Sequence, residues 1–337
     1  MRERKGDTAK HQLGSLVGRV IDPASVVVSS CATAFEQWLF VVVGRARPDA
    51  LWNQRELTVK NYTANEVKAL YTRRHEIRKT ETASVYGEVP YANYGYWPRE
   101  NMTVLEACDA MSDLMAKELA LCESDRVLEC GCGYGVTAAF LSAKYHPQKY
   151  IGLDVTDVRI EEGRLLLQER GLSEKVTLQI GDATNLDFPD ATFTKIFAIE
   201  CAFHFDSRED FLKEAFRVLT PGGILVIADI IPVEGIDLSA HTPKQICEWL
   251  SADAQYFCKA NIYNTSTYKE ILRNIGFADP TIYSIKDKVI PAFSAHLEQI
   301  AKASPPDACA RRMKVVNTFR TDFMTKGDYV VAKATKP

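Results

Sequence analysis

The chain has 337 residues, of which 46% are hydrophobic and 25% are charged, and its formal net charge is −3. This composition excludes a wholly disordered chain, and the slightly acidic balance provides no global positive field that would attract nucleic acid or anionic lipid. The nine cysteines are scattered without a CxxC pair, and the charged N-terminus lacks the apolar run of a secretory signal. These features predict reduced thiols, no metal centre, no nucleic-acid partner and a cytoplasmic location.

Residues 1–100 are predicted to form an N-terminal helical cap, because residues 1–80 lack the alternation that marks strands. The most apolar stretch is Ser25–Val43, and its uninterrupted apolar run Trp38–Val43 is far shorter than the ~20 residues that span a bilayer. We therefore expect no stable membrane insertion and interpret this stretch as a helix that is buried or forms a homodimer, with a membrane-surface role as the alternative. Ala64–Lys79 is predicted to be a charged helix.

From Asp125 onward, short β-branched runs alternate with helical patterns, which is typical of a parallel sheet built from βαβ units. The predicted strands are Arg126–Glu129, Tyr150–Asp154, Val176–Gly181, Thr194–Ile199, Ile224–Ile230, Pro280–Lys286 and Tyr329–Lys333. The predicted helices are Val136–Lys144, Asp157–Arg170, Ser207–Leu219, Thr242–Lys259 and Ser266–Ile275. Residues 101–337 are thus predicted to be one doubly wound α/β domain, with insertions on its substrate side at residues 241–265 and 291–326.

A glycine-rich loop follows the first predicted strand, at Val127–Gly135, with the sequence VLECGCGYG. Its three glycines are spaced by two, whereas a dinucleotide-binding loop has the spacing GxGxxG. Glycine lacks Cβ, so it permits a sharp turn and lets a ligand lie against backbone N–H groups at the positive end of a helix. Glu129 stands two residues before the first glycine, where a carboxylate would repel a pyrophosphate but suit a ligand that carries an ammonium and a sulfonium.

This ExGxGxG run resembles motif I of the class I S-adenosylmethionine-dependent methyltransferases, and the run FRVLTPGG at Phe216–Gly223 is similar to the turn before that family's fifth strand. The resemblance implies a Rossmann-like seven-stranded methyltransferase sheet with helices on both faces, here with an N-terminal helical cap and a C-terminal helical insertion. It also implies S-adenosyl-L-methionine as the cofactor. The cofactor-binding residues that it implies are Glu129, Gly131, Gly133, Gly135, Asp154 at the ribose hydroxyls, Val155, and Asp182 and Ala183 at the adenine.

The segment before the glycine loop, VPYANYGYWP at Val89–Pro98, resembles the aromatic segment of the sterol, tocopherol and geranyl diphosphate C-methyltransferases. In those relatives the segment folds over the cofactor and borders the acceptor pocket. The resemblance implies cofactor contacts for Tyr94 and Trp97 and a substrate contact for Tyr96, with ordinary aromatic packing as the alternative. After the fourth strand the chain lacks the Asn/Asp-Pro-Pro-Tyr/Phe run of enzymes that methylate a flipped base, so we expect a small-molecule acceptor.

Glu200 and His204, which follow the fourth strand, are the predicted catalytic residues, and Phe203 is a predicted substrate contact. The leading hypothesis is C-methylation of an isoprenoid or similar alkene, such as a prenyl diphosphate, through a carbocation that is then deprotonated and is able to cyclise. Arg311 and Arg312 would bind the diphosphate, unless they belong to a solvated face. The alternatives are an O- or N-methyltransferase of a phenolic or alkaloid metabolite, with His204 as general base, and a cofactor-binding protein without catalysis.

Overall fold

The structure is a computed structural model that describes residues 63–80, 90–250, 257–304 and 306–337. The apolar stretch Ser25–Val43, predicted as a buried or dimer-forming helix, lies outside the described residues. The side chains of residues 77–80, 307, 308 and 311 are outside the description as well.

A seven-stranded sheet lies at the centre of the described part. Its strands are β1 Arg126–Cys130, β2 Lys149–Asp154, β3 Val176–Ile180, β4 Phe193–Ile199, β5 Leu219–Pro232, β6 Ala278–Ser284 and β7 Gly327–Thr335. They are ordered β3-β2-β1-β4-β5-β7-β6, with β1 to β5 parallel and β7 antiparallel to both of its neighbours. The predicted sheet with an antiparallel last strand is confirmed. Its strand order reverses at β1, which opens a crevice between the carboxyl ends of β1 and β4.

Helices cover both faces of the sheet. They are α1 Ala64–Thr80, α2 Val104–Leu119, α3 Val136–Tyr145, α4 Asp157–Glu169, α5 Arg208–Val218, α6 Pro243–Leu250, α7 Thr265–Ile275, α8 Ile290–Lys302, α9 Pro306–Thr318 and α10 Met324–Lys326. Val127 belongs to one buried apolar cluster and its neighbour Leu128 to another, because successive side chains of a strand point to opposite faces. Among the described helices, none combines the length and the apolarity that crossing a membrane requires.

Strand β5 begins five residues earlier than its predicted start at Ile224. Helix α5 ends at Val218 and the strand starts at Leu219, so the TPGG run lies inside the strand instead of before it. Gly222 has a φ of +76°, and the pairing of β4 with β5 is irregular between Phe193 and Lys195. The positive φ at Gly222 lets the chain bulge without leaving the sheet.

The segment between β6 and β7 is helical, as predicted. It consists of α8, α9, a π-helical turn at Phe319–Phe323 and α10. The predicted helix Thr242–Lys259 is confirmed over Pro243–Leu250, and residues 251–256 lie outside the described part. Its predicted end is wrong, because residues 259–261 form a separate 3-10 turn. The domain boundary at residue 100 and the substrate-side role of the two insertions stay predictions.

Candidate active site

A cleft of about 960 Å³, part of which is open to solvent, lies at the carboxyl ends of β1, β2, β3 and β4. This is the usual position of a ligand site in an open α/β sheet. The predicted cofactor residues in its wall are Glu129, Gly131, Gly133, Asp154, Val155, Asp182 and Ala183, and the two predicted catalytic residues, Glu200 and His204, also line it. The fold therefore brings the predicted cofactor site and the predicted catalytic pair to one cavity.

The glycine loop adopts a conformation that favours glycine at each of its three glycines. Their φ angles are +75° at Gly131, +54° at Gly133 and +68° at Gly135. A Cβ at Gly131 would lie 2.5 Å from Sγ of Cys201, and a Cβ at Gly135 would lie 2.6 Å from Cδ1 of Leu178. Both backbone conformation and space thus exclude larger residues at these two positions. Gly135 is the N-cap of α3 and is not among the residues that line the cleft.

Two carboxylates at the strand ends are held in place by donors from nearby residues. Oδ2 of Asp154 accepts the N–H of Gly133 and Oδ1 accepts the N–H of Thr156, each at 2.9 Å. Oδ1 of Asp182 accepts the N–H and the O–H of Thr184, both at 2.8 Å. Because each carboxylate oxygen accepts up to two hydrogen bonds, both groups keep capacity for a ligand's hydroxyl or amino group.

Glu129 presents a third, more deeply buried carboxyl group at the end of β1. Its side chain is 3% exposed, and its Oε2 accepts the O–H of Tyr150 at 2.8 Å. Burial raises the pKa of Glu129 to about 8, although the hydrogen bond from Tyr150 opposes this rise. The group is therefore mostly neutral at pH 7 in the free protein, and a cation that binds beside it would favour its ionised form.

Glu200 connects the end of β4 with the aromatic segment and with β7. Its Oε1 accepts the N–H of Tyr94 at 2.6 Å and the O–H of Tyr329 at 2.7 Å. Its φ is +50°, an uncommon conformation for glutamate that the surrounding contacts must maintain. Burial raises the pKa of Glu200 to about 8. Its carboxyl group is therefore mostly protonated at neutral pH, so only a small fraction is present as the carboxylate that could accept a proton.

His204 lies in a 3-10 turn that begins three residues after the end of β4, and it is 7% exposed. Its ring meets the ring of Tyr71 edge to face, with 5.7 Å between the centroids. Nδ2 of Asn261 donates to three carbonyl groups, two in this turn and one in the residue after it. These contacts fix the imidazole in the cleft wall, four residues after Glu200.

The aromatic segment lines the cleft with residues 90–93, whereas Tyr94 and Trp97, its predicted cofactor contacts, pack elsewhere. Tyr94 stacks on Phe293 of α8 with 4.6 Å between the ring centroids, and Nε1 of Trp97 donates to the carbonyl oxygen of Tyr94 at 2.9 Å. Neither side chain lines the cleft. The ring of Trp97 lies 6.3 Å from that of His296 in α8, so the packing of both side chains against α8 holds the C-terminal helical insertion to the segment. The backbone N–H of Tyr94 reaches Glu200.

The predicted substrate residues are not brought to the cleft wall either. Tyr96 lies in a shallow groove beside α2, and Phe203 stacks on a neighbouring phenylalanine with 4.5 Å between the centroids. Arg312 donates hydrogen bonds to groups at the C-terminal end of α8, a common structural use of a cation. The side chain of Arg311 is outside the described residues.

Residues from two helices of the cleft wall were not predicted from the sequence. Ala64, Val67 and Tyr71 of α1 line one side of it, and Arg159 of α4 lines it near the glycine loop. The three α1 residues have the spacing i, i+3 and i+7, which places them on one helix face. That stripe was the available signal, but the charged residues around it led to the prediction of a charged helix without a place in the site.

Known proteins match both the sequence and the fold. A family model described as a methyltransferase domain matches residues 128–227. The chain is 29% identical over 259 residues to an erythromycin 3''-O-methyltransferase of Saccharopolyspora erythraea, covering 74% of this chain and 85% of that protein. It is 30% identical over 203 residues to the O-methyltransferase resE of Aspergillus sclerotiorum, covering 60% of this chain and 74% of that protein. Among solved structures, a geranyl diphosphate C-methyltransferase of Streptomyces coelicolor A3(2) has a TM-score of 0.61 at 14% identity, covering 82% of this chain and 100% of that chain.

The strand order, the antiparallel β7 and the glycine loop at the end of β1 define a class I methyltransferase fold. The chain belongs to the S-adenosyl-L-methionine-dependent methyltransferases, and among these it is of the type that acts on small molecules of secondary metabolism. Its cofactor is S-adenosyl-L-methionine.

The cleft fits this cofactor, because carboxyl groups reach it from the ends of four strands, beside the glycine loop. We propose that Asp154 accepts the ribose hydroxyls, that Asp182 accepts the adenine amino group and that Glu129 faces the positively charged methionyl end. When bound, the cofactor supplies a methyl group made electrophilic by its sulfonium. The chain itself has to orient the acceptor, exclude water and remove a proton.

Cofactor affinity is expected to rise with pH up to about 8, because Glu129 must lose a proton before it can face a cation. Below that pH, each bound cofactor should release about one proton, and affinity should change by up to about tenfold per pH unit. Calorimetry in two buffers of different ionisation enthalpy measures this proton directly.

The variant Glu129→Gln should bind the cofactor about tenfold to a hundredfold more weakly, with no proton release attributable to this site. The exposed Glu123, in the turn before β1, provides a matched control as Glu123→Gln. If the variant Glu129→Gln released as many protons as the wild type, the assignment of the linked proton to Glu129 would be wrong.

Proposed function

We propose that the protein O-methylates a hydroxyl group of a small secondary metabolite, with His204 as the general base. The observation that supports this proposal most strongly is the imidazole of His204 in the cleft wall. Its ring packs against Tyr71, and Asn261 holds the backbone of the turn that carries it. A hydroxyl acceptor has to lose its proton as the methyl group is transferred, and histidine is the side chain that most often removes such a proton.

Glu200 is less suited to that role. Two donors already occupy its Oε1, and burial raises its pKa to about 8, so little carboxylate is present at neutral pH. Its contacts with the backbone of Tyr94 and with Tyr329 favour a positioning role, in which it holds the aromatic segment against the cleft.

The second candidate is C-methylation of an isoprenoid or similar alkene, such as a prenyl diphosphate. The position of Glu200 in the cleft wall and the similarity in fold to a geranyl diphosphate C-methyltransferase favour it. The cleft gives it less support, because the side chains of Tyr94 and Trp97 pack against α8 instead of facing a carbocation. Arg159 is also the only arginine or lysine among the described lining residues, whereas a diphosphate is usually held by several cations.

The deciding experiment is an acceptor screen with cofactor labelled with 13C in the methyl group. The full chain is incubated with three panels: hydroxylated macrolides and phenols, alkaloid amines, and prenyl diphosphates. The expected result is label in a methyl ether, identified by carbon NMR. Label in a methyl group on carbon or nitrogen would overturn the proposal. Cofactor binding by calorimetry without turnover of any panel would instead favour a cofactor-binding protein without catalysis.

A further inference from the structure

Arg159 is a buried cation in the wall of the cleft. It is the third residue of α4 and is 7% exposed. Its guanidinium carbon lies 4.1 Å from the ring centroid of Tyr71 and 5.0 Å from that of Tyr134. Its Nη1 lies 3.8 Å from the position that a Cβ on Gly133 would take. The guanidinium is thus placed between α1 and the glycine loop, at the edge of the cavity.

Within residues 63–80, 90–250, 257–304 and 306–337, no carboxylate forms an ion pair with this guanidinium. Its Nε is buried and has no hydrogen-bond partner in that part of the chain. Contacts with two tyrosine rings offset only part of the free energy that burial of a cation costs. A buried arginine in this state gains from any anionic group that enters the cleft.

The other charged groups of the cavity are acidic, which restricts where such an anion could bind. The lining carboxyl groups include Glu129, Asp154, Asp182 and Glu200, and Arg159 is the only arginine or lysine beside them in the described wall. S-adenosyl-L-methionine carries one negative group, the carboxylate of its methionyl end. That carboxylate would be repelled by the acidic groups and attracted by the guanidinium.

We propose that Arg159 binds the methionyl carboxylate of the cofactor and that the ring of Tyr71 holds the guanidinium in position. A guanidinium presents parallel N–H donors that match the two oxygens of a carboxylate. Because Tyr71 belongs to α1, this contact also joins the bound cofactor to the helix that closes one side of the cleft. This proposal depends on the binding of the cofactor and is independent of the proposed hydroxyl acceptor.

The test compares two ligands that differ only in the carboxylate: S-adenosyl-L-methionine and its decarboxylated form. Calorimetry without acceptor measures both dissociation constants for the wild type and for Arg159→Gln. The wild type should bind the carboxylated ligand about tenfold to a hundredfold more tightly, and the variant should lose most of this preference. Binding of the decarboxylated ligand should change by less than about threefold, since it has no group for Arg159 to bind.

Two outcomes would overturn the proposal. If Arg159→Gln lost the same affinity for both ligands, Arg159 would contact the ribose or have a structural role. If the variant kept the wild type's preference for the carboxylated ligand, a contact between Arg159 and the carboxylate would be excluded. Arg170→Gln, at the exposed end of the same helix, is the control. If Arg159→Gln does not fold, Arg159→Lys allows the same comparison, because it keeps the charge and loses the paired donors; it should retain only part of the preference.

Discussion

Replacing His204 by asparagine is expected to lower kcat for methyl transfer to a hydroxyl acceptor by about 10²–10⁴-fold, the usual contribution of a general base. The dissociation constant of the cofactor should change by less than about threefold, because a lost base affects the chemical step and not ground-state binding. The wild-type pH–rate profile should show a limb that rises as the base is deprotonated, and the variant should lack this limb. Steady-state kinetics with an acceptor found in the isotope screen provide both measurements.

Two further variants separate a base from a structural residue. His146 is exposed at the C-cap of α3 with a φ of +51°, a conformation that asparagine tolerates, so His146→Asn should leave kcat unchanged. Glu200→Gln keeps an acceptor for the N–H of Tyr94 and the O–H of Tyr329 and should lower kcat by less than about tenfold. A larger loss in Glu200→Gln than in His204→Asn would contradict the assignment of the base and favour proton removal by Glu200.

The parts of the site that could be predicted from sequence are those in which local chemistry determines position. The glycine spacing, Glu129 and Asp154 all stand at strand ends, and parallel strands bring their carboxyl ends to one edge of the sheet. Short β-branched runs located the strands for a similar reason, because each buried strand keeps its apolar character over several residues. The bulge at Gly222 was missed because a PGG run has the same composition whether it ends a strand or bends one.

The other residues of the site depend on which element packs over the cleft. Local sequence patterns do not determine that packing. Tyr94 and Trp97 have the composition of a cofactor lid, but α8 provides Phe293 as a closer aromatic partner. Tyr71 and Arg159 are almost 90 residues apart in the chain and meet only because α1 lies against α4. A contact between a charged helix and an arginine far away in the chain produces no periodic pattern in the sequence, so it could not be predicted.

A buried ion pair behind His204 joins α5 to β5. Nε of Arg208 lies 2.8 Å from Oδ2 of Asp229, and both side chains are fully buried. The guanidinium also lies over two tyrosine rings, at 4.7 and 5.0 Å from their centroids, and its Nη1 donates to the carbonyl oxygen of Asn261 at 2.9 Å. The carboxylate of Asp229 holds the pKa of Arg208 above its usual value, so the arginine stays charged. Since Asn261 anchors the turn that carries His204, this pair supports the position of the base.

Arg208→Met is therefore expected to lower the free energy of unfolding by about 3–5 kcal/mol, because it leaves Asp229 as a buried charge without its partner. Urea denaturation followed by circular dichroism measures the change, and Lys213→Met, which removes an exposed pair with Glu209, should cost less than about 1 kcal/mol. Combining Arg208→Met with Asp229→Leu removes both charges and should recover most of the loss. Equal losses in the single and double variants would show that packing of the arginine, and not the unpaired carboxylate, accounts for the effect. The double variant should still have a lower kcat than the wild type, since its methionine cannot donate to Asn261 and the turn beneath His204 loses that support.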